Sequence, residues 1–110
     1  MSYSIEGSKL FTKELKRLVK KYPSLKDDFA ELIKSLEVHP TQGDKLEKNC
    51  YKIRIAIASK HRGKSGGARV ITFVHIVNTK VVLLTIYDKS EQDDITDKDL
   101  INLLSKIIEF

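Results

Sequence analysis

The sequence predicts an α+β fold in which an N-terminal helical hairpin packs on a small, mainly antiparallel sheet of three to four strands, closed by a C-terminal helix. Three observations carry this expectation. Apolar residues recur at helical spacing in two successive stretches before residue 39, strand-forming residues fill the region 50–87, and helical spacing returns after residue 96. At 110 residues the chain has the length of a single domain, taken as residues 1–110, and its 41% apolar content is enough for one modest core.

Each element has its own signal. Tyr3, Ser4 and Ile5 offer a short edge strand. Leu10, Phe11, Leu15, Leu18, Val19 and Tyr22 form the apolar stripe of a first helix, with Lys13, Lys16, Arg17, Lys20 and Lys21 around its other side and Ser8 as its N-cap. Pro23 ends that helix. Ser24 followed by Asp27 has the spacing of a capping box for a second helix, which carries Leu25, Phe29, Leu32, Ile33 and Leu36. The Pro and Gly content of residues 39–44 marks a loop. Beyond it, Tyr51, Ile53, Ile55 and Ile57 alternate with Lys52, Arg54, Ala56 and Ala58, so this strand has one apolar and one cationic face. Residues 68–77 and 80–87 are rich in β-branched and aromatic types and complete an antiparallel meander, with Asn78 and Thr79 turning the chain between them. Thr96 and Asp99 repeat the capping-box spacing before Leu100, Ile101, Leu103, Leu104, Ile107, Ile108 and Phe110, a helix with a wide apolar face. That face either completes the core or leaves part of its width for a partner chain.

Charge is concentrated. Residues 48–69 contain seven cations, Lys48, Lys52, Arg54, Lys60, Arg62, Lys64 and Arg69, and neither Asp nor Glu, whereas the whole chain carries a net charge of only +5. The remainder is therefore net acidic. A local field of this kind favours a phosphate-bearing partner. The loop that follows the cationic strand adds Gly63, Gly66 and Gly67, which permit close backbone approach to phosphate, yet it matches neither a P-loop nor a dinucleotide fingerprint. It reads as a phosphate-gripping loop or as a solvated hairpin loop. Nothing points to a cofactor or a metal. Cys50 is the only cysteine, which excludes an internal disulfide and favours a reducing compartment. Without a signal-like start or a long apolar run, the expectation is a cytoplasmic protein that does not enter membranes.

Element order and particular residues together resemble the RelE/ParE superfamily of type II toxin-antitoxin toxins. Cys50-Tyr51-Lys52-Ile53-Arg54 is similar to the start of the central strand in RelE ribosome-dependent mRNA endonucleases. Gly66-Gly67-Ala68-Arg69-Val70-Ile71 is similar to the next strand, where that family places a catalytic arginine after a glycine-containing turn, and Tyr87-Asp88-Lys89-Ser90-Glu91 is similar to the end of the last strand in HigB-like and RelE-like relatives. The resemblance implies Lys52, Arg54, Arg69 and Lys89 as catalytic positions, Lys89 standing in for a further family arginine. Tyr87 lies earlier than the family tyrosine and is kept, with His61, as a candidate acid or base. Lys48, Lys60, Arg62 and Lys64 are the expected RNA-binding cations.

The implied reaction needs no metal: a ribose 2′-hydroxyl attacks the adjacent phosphate, charge builds on the phosphoryl oxygens, and a 5′-hydroxyl leaves. Cations preorganised toward that charge lower the barrier, Arg gripping two oxygens and Lys acting as a point charge. Strand alternation puts Lys52 and Arg54 on one face about 7 Å apart. Crowding by Arg54 and Arg69 is expected to depress the Lys52 pKa and make it a base. His75, inside an apolar strand, reads as structural. The implied partners are a cognate antitoxin, mRNA and the ribosome, with DNA reached only through the antitoxin complex. Two other readings fit the same residues: a gyrase inhibitor of the ParE branch, and a nucleic-acid-binding module without catalysis.

Overall fold

A computed structural model describes residues 2–60, 66–92 and 94–108. Its elements are β1 (Ser4–Gly7), α1 (Lys9–Lys21), α2 (Leu25–Val38), β2 (Asp44–Lys45), β3 (Cys50–Ile55), β4 (Ala68–His75), β5 (Lys80–Asp88) and α3 (Asp97–Ile108), with one 3₁₀ turn at Ala58–Lys60. The strands form one sheet in the order β1-β5-β4-β3-β2, parallel between β1 and β5 and antiparallel elsewhere. The α+β class and the helical hairpin are as expected. The sheet, however, has five strands and is mixed.

The two sheet faces bury different residues because strand side chains alternate. Ile53, Ile55, Val70, Val74, Val81, Leu83 and Ile86 join Phe11 and Leu18 of α1 and Leu25, Leu32 and Leu36 of α2 in the larger core. On the other face Cys50, Ile71, Leu84 and Tyr87 cluster with Leu100 and Leu104 of α3. The wide stripe of α3 is thus only partly used: Leu103 and Ile107 stay half-buried, and Ile101 is exposed.

Local chemistry explains where elements start. Ser8 caps α1 by accepting the Phe11 backbone N–H at 3.1 Å, and Thr96 and Asp99 close a reciprocal box at the start of α3, each accepting the other's backbone N–H. The expected Ser24–Asp27 box does not form. Ser24 is itself helical at φ −65° and ψ −19°, and its hydroxyl bonds Asp28 and Ser59 instead, tying the start of α2 to the chain leaving β3.

The extra strand, β2, begins at Asp44, the last residue of the expected loop at residues 39–44. Asp44 and Lys45 pair with Lys52 and Tyr51, and the chain reverses through Lys48 and Asn49, both at positive φ (58° and 61°), as in the primed turns that match strand twist. Neither residue is glycine, so the usual hairpin signal was missing. The β4–β5 pairing contains a bulge near Ile71 and Thr72, opposite Leu84. Glu14 of α1 repairs it, accepting the Thr85 hydroxyl at 2.6 Å and the Ile86 N–H at 3.3 Å.

Candidate RNA-cleavage site

Three neighbouring strands contribute one row of side chains. In the pairing register Arg54 of β3 stands opposite Arg69 of β4, which stands opposite Tyr87 of β5, and Lys52 lies two residues from Arg54 on the same face. Of the expected catalytic residues, Lys52, Arg54 and Arg69 are therefore brought together, and Tyr87 joins them. Their exposures differ sharply. Arg54 is exposed, Lys52 is partly covered, and Arg69 and Tyr87 are only 5% and 3% accessible. One Nη of Arg69 donates to the Ala68 carbonyl oxygen at 3.3 Å. Gly67 lets β4 enter this position, since a Cβ there would overlap the Ile55 carbonyl oxygen.

Carboxylates from elsewhere in the chain meet these cations. Asp94 takes the Lys52 ammonium on both oxygens at 3.0 and 2.8 Å, and Asp44 on β2 takes Arg54 at 2.6 Å. Lys52 is thus seated against a carboxylate and not, as expected, solely among cations. Its ammonium, foremost, holds the Asp94 carboxyl below the usual carboxylate range, and the charge of Lys89 adds to this. The Tyr87 hydroxyl makes a long hydrogen bond to Asp94 at 3.5 Å; burial, and then Asp94, push its pKa above the ordinary tyrosine value. The Tyr87 phenol therefore stays protonated at neutral pH. Neither Asp44 nor Asp94 was singled out in the sequence, because each lies outside the acid-free segment and only the fold brings it there.

The remaining expected residues separate. Lys89 is exposed beside the row, its backbone N–H bonded to the Gly67 carbonyl at 3.1 Å. Lys48 is exposed in the β2–β3 turn. Lys60 must be removed from the RNA-gripping set: its side chain is 9% accessible, its ammonium lies 2.7 Å from the fully buried Asp88, and it covers the Tyr22 ring at 5.1 Å. His61, Arg62 and Lys64 lie outside the described residues. His75 accepts the Asn78 backbone N–H at 3.3 Å, the structural role expected of it.

Asp88 is the node beneath the site. It accepts the Tyr22 hydroxyl at 2.8 Å, the Lys60 ammonium, and both the backbone N–H and the hydroxyl of Ser90 at 3.0 and 2.8 Å. Burial alone raises its pKa, but Lys60, Ser90 and Tyr22 outweigh that and hold the carboxyl well below the usual range. Among the described residues no three His, Cys, Asp or Glu side chains gather as a metal site would, and no helix is long and apolar enough to cross a membrane.

Fold and site together define a small cationic α+β protein whose mixed sheet presents an Arg-Arg-Tyr row flanked by lysine. The model of the RelE toxin of the RelE/RelB toxin-antitoxin system matches residues 9–108, and the chain belongs to that family. Solved structures share the fold. An arginine-to-alanine double mutant of E. coli RelE in the free state superposes with a TM-score of 0.66 at 14% identity, over 97% of this chain and 99% of that one. The RelBE2 toxin-antitoxin complex of Mycobacterium tuberculosis gives 0.58 at 15% identity, over 80% and 99%. The intact E. coli RelBE complex gives 0.51 at 19% identity, over 79% and 96%.

Proposed function

We propose that this RelE-family toxin is a metal-independent endoribonuclease that cuts mRNA on translating ribosomes in the cytoplasm, and that a cognate antitoxin neutralises it. The observation that carries this reading is the Arg54–Arg69–Tyr87 row across three paired strands, with Lys52 beside it.

In this reading the scissile phosphate lies over the row. Arg54, the exposed member, exchanges Asp44 for phosphoryl oxygens. Arg69 acts from beneath, where the weaker screening of a nearly dry site lengthens the reach of its charge toward the oxygens that become negative in the transition state. Lys52, released from Asp94, adds a point charge. Tyr87 supplies a proton to the departing 5′-oxygen, the proton of the attacking 2′-hydroxyl passes to water, and solvent then reprotonates Tyr87. In the free protein Asp94 holds Lys52 extended over the sheet, and so held its carboxyl has little affinity for a proton at neutral pH. An antitoxin partner is supported by family membership and by the RelB-bound relatives.

Primer extension on translated mRNA after induction tests the proposal. Wild type is expected to produce codon-associated cuts and growth arrest, and Arg69→Ala to abolish both while remaining folded. Growth arrest with intact mRNA would overturn the nuclease reading.

A further inference from the structure

The fold redistributes charge in a way the linear sequence conceals. In the acid-free segment Lys52, Arg54 and Lys60 are all matched by carboxylates, from Asp94, Asp44 and Asp88. Helix α1 shows the reverse. It carries Lys9, Lys13, Lys16, Arg17, Lys20 and Lys21 and one acid, Glu14, whose carboxylate is turned inward onto Thr85 and Ile86. All six cations are exposed. Arg17 and Lys21 share Glu91 at 2.9 and 3.2 Å, whereas Lys9, Lys13, Lys16 and Lys20 have no ion pair among the described residues.

Those four lysines recur at intervals of four, three and four residues and so form one ridge along the helix. At a rise of 1.5 Å per residue the ridge is about 16 Å long, with a charge roughly every 5 to 6 Å. We propose that this ridge is a second RNA-contacting surface, separate from the cleavage row, which grips the phosphate backbone of an RNA duplex without reading its sequence. Three observations select this occupant. The apolar stripe of α1, with Phe11 and Leu18 buried, is committed to the core, so the helix has nothing to insert into a membrane. The ridge has no exposed large apolar residue; Val38, Ile76, Val77 and Ile101 all lie elsewhere, and a protein interface lacking such an anchor and rich in Lys is disfavoured. An evenly spaced line of long, exposed ammonium groups suits a polyanion, bound by counterion release.

The ridge also connects to the site. Arg17 and Lys21, on its flank, hold Glu91, which lies two residues beyond Lys89 and three before Asp94. A duplex on α1 would therefore lie against the segment that carries the Lys52 clamp.

The test is the salt dependence of binding of a fluorescent RNA duplex to the full chain. Lys9→Gln, Lys13→Gln, Lys16→Gln and Lys20→Gln combined is expected to make the log-log slope shallower by about three, from close to one counterion per phosphate contact. The control removes the same charge elsewhere, with Lys26→Gln, Lys34→Gln, Lys98→Gln and Lys106→Gln, and should change the slope by less than about one. An unchanged slope in the ridge variant, or equal changes in both, would overturn the proposal. So would a ridge variant that keeps duplex binding but loses affinity for poly-glutamate, which would assign the surface to an acidic protein. Duplex binding requires no cleavage, so its outcome is independent of whether the row of Arg54, Arg69 and Tyr87 cuts mRNA.

Discussion

Asp94 decides what Lys52 can do. With both carboxylate oxygens on the ammonium, a phosphate must displace a ready-made anion before Lys52 can help it. Asp94→Asn should therefore lower KM for translated mRNA by about tenfold or more, since a charge-assisted hydrogen bond of about 1.5–3 kcal/mol need no longer be exchanged. Steady-state kinetics on programmed ribosomes would show this, and an unchanged KM would mean that Asp94 does not compete with substrate. The cations of this site were legible from composition and alternation, because like charges crowd visibly along a strand. Their counterions were not. Asp44 lies at the edge of what read as a loop, and Asp94 follows the last strand, so their proximity depends on β2 pairing with β3 and on the path after β5. Lys60 was misread for the same reason, since a lysine beside a glycine-rich loop gives no sign of an Asp 28 residues later that will bury with it.

At the scale of elements, α1 is joined to the sheet by more than apolar packing. Glu14 reaches the β5 bulge and satisfies both the Thr85 hydroxyl and the Ile86 N–H. Replacing it by Ala leaves these donors, in a largely covered position, without their acceptor; Glu14→Ala should cost about 1–3 kcal/mol, read as a lowered urea midpoint at unchanged m-value. An unaltered midpoint would show that water takes over the acceptor role. Helix caps were legible where the hydroxyl and the acid both serve one helix end, as at Thr96 and Asp99. The Ser24 case failed because its hydroxyl is taken by Asp28, one turn along the same helix, and by the distant Ser59. The bulge itself leaves no clear mark, since one extra residue in β5 does not interrupt a run as uniformly apolar as Val81 to Leu84.

Across the whole molecule, Asp88 binds the end of β5 to the end of α1 through Tyr22 and to the start of the glycine-rich loop through Lys60. Its carboxyl is depressed in the folded state, so the unfolded chain binds the proton more readily. The stabilisation it provides is fully present above the ordinary carboxylate pKa near 4 and is lost as pH falls below that value toward the lower folded one. Asp88→Asn should destabilise the protein by about 3 kcal/mol at pH 7, because Lys60 is left buried without its anion, and should flatten the loss of stability between pH 4 and pH 2. Urea titrations at several pH values measure this, and an equally steep acid limb in the variant would assign acid sensitivity to other carboxylates. The chain's net charge favours an anionic partner. The fold adds where, among the described residues, the charge is matched: Lys52 and Arg54 of β3 have carboxylate partners, whereas Lys9, Lys13, Lys16 and Lys20 of α1 have none.

Cys50, the chain's only thiol, lies fully buried in the cluster that holds Leu100 and Leu104 of α3, and burial pushes its pKa up to about 11. A thiol so protonated and so covered is a poor nucleophile toward peroxide or a disulfide. As long as α3 stays on the sheet, oxidants in the surrounding medium have no thiol of this toxin within reach.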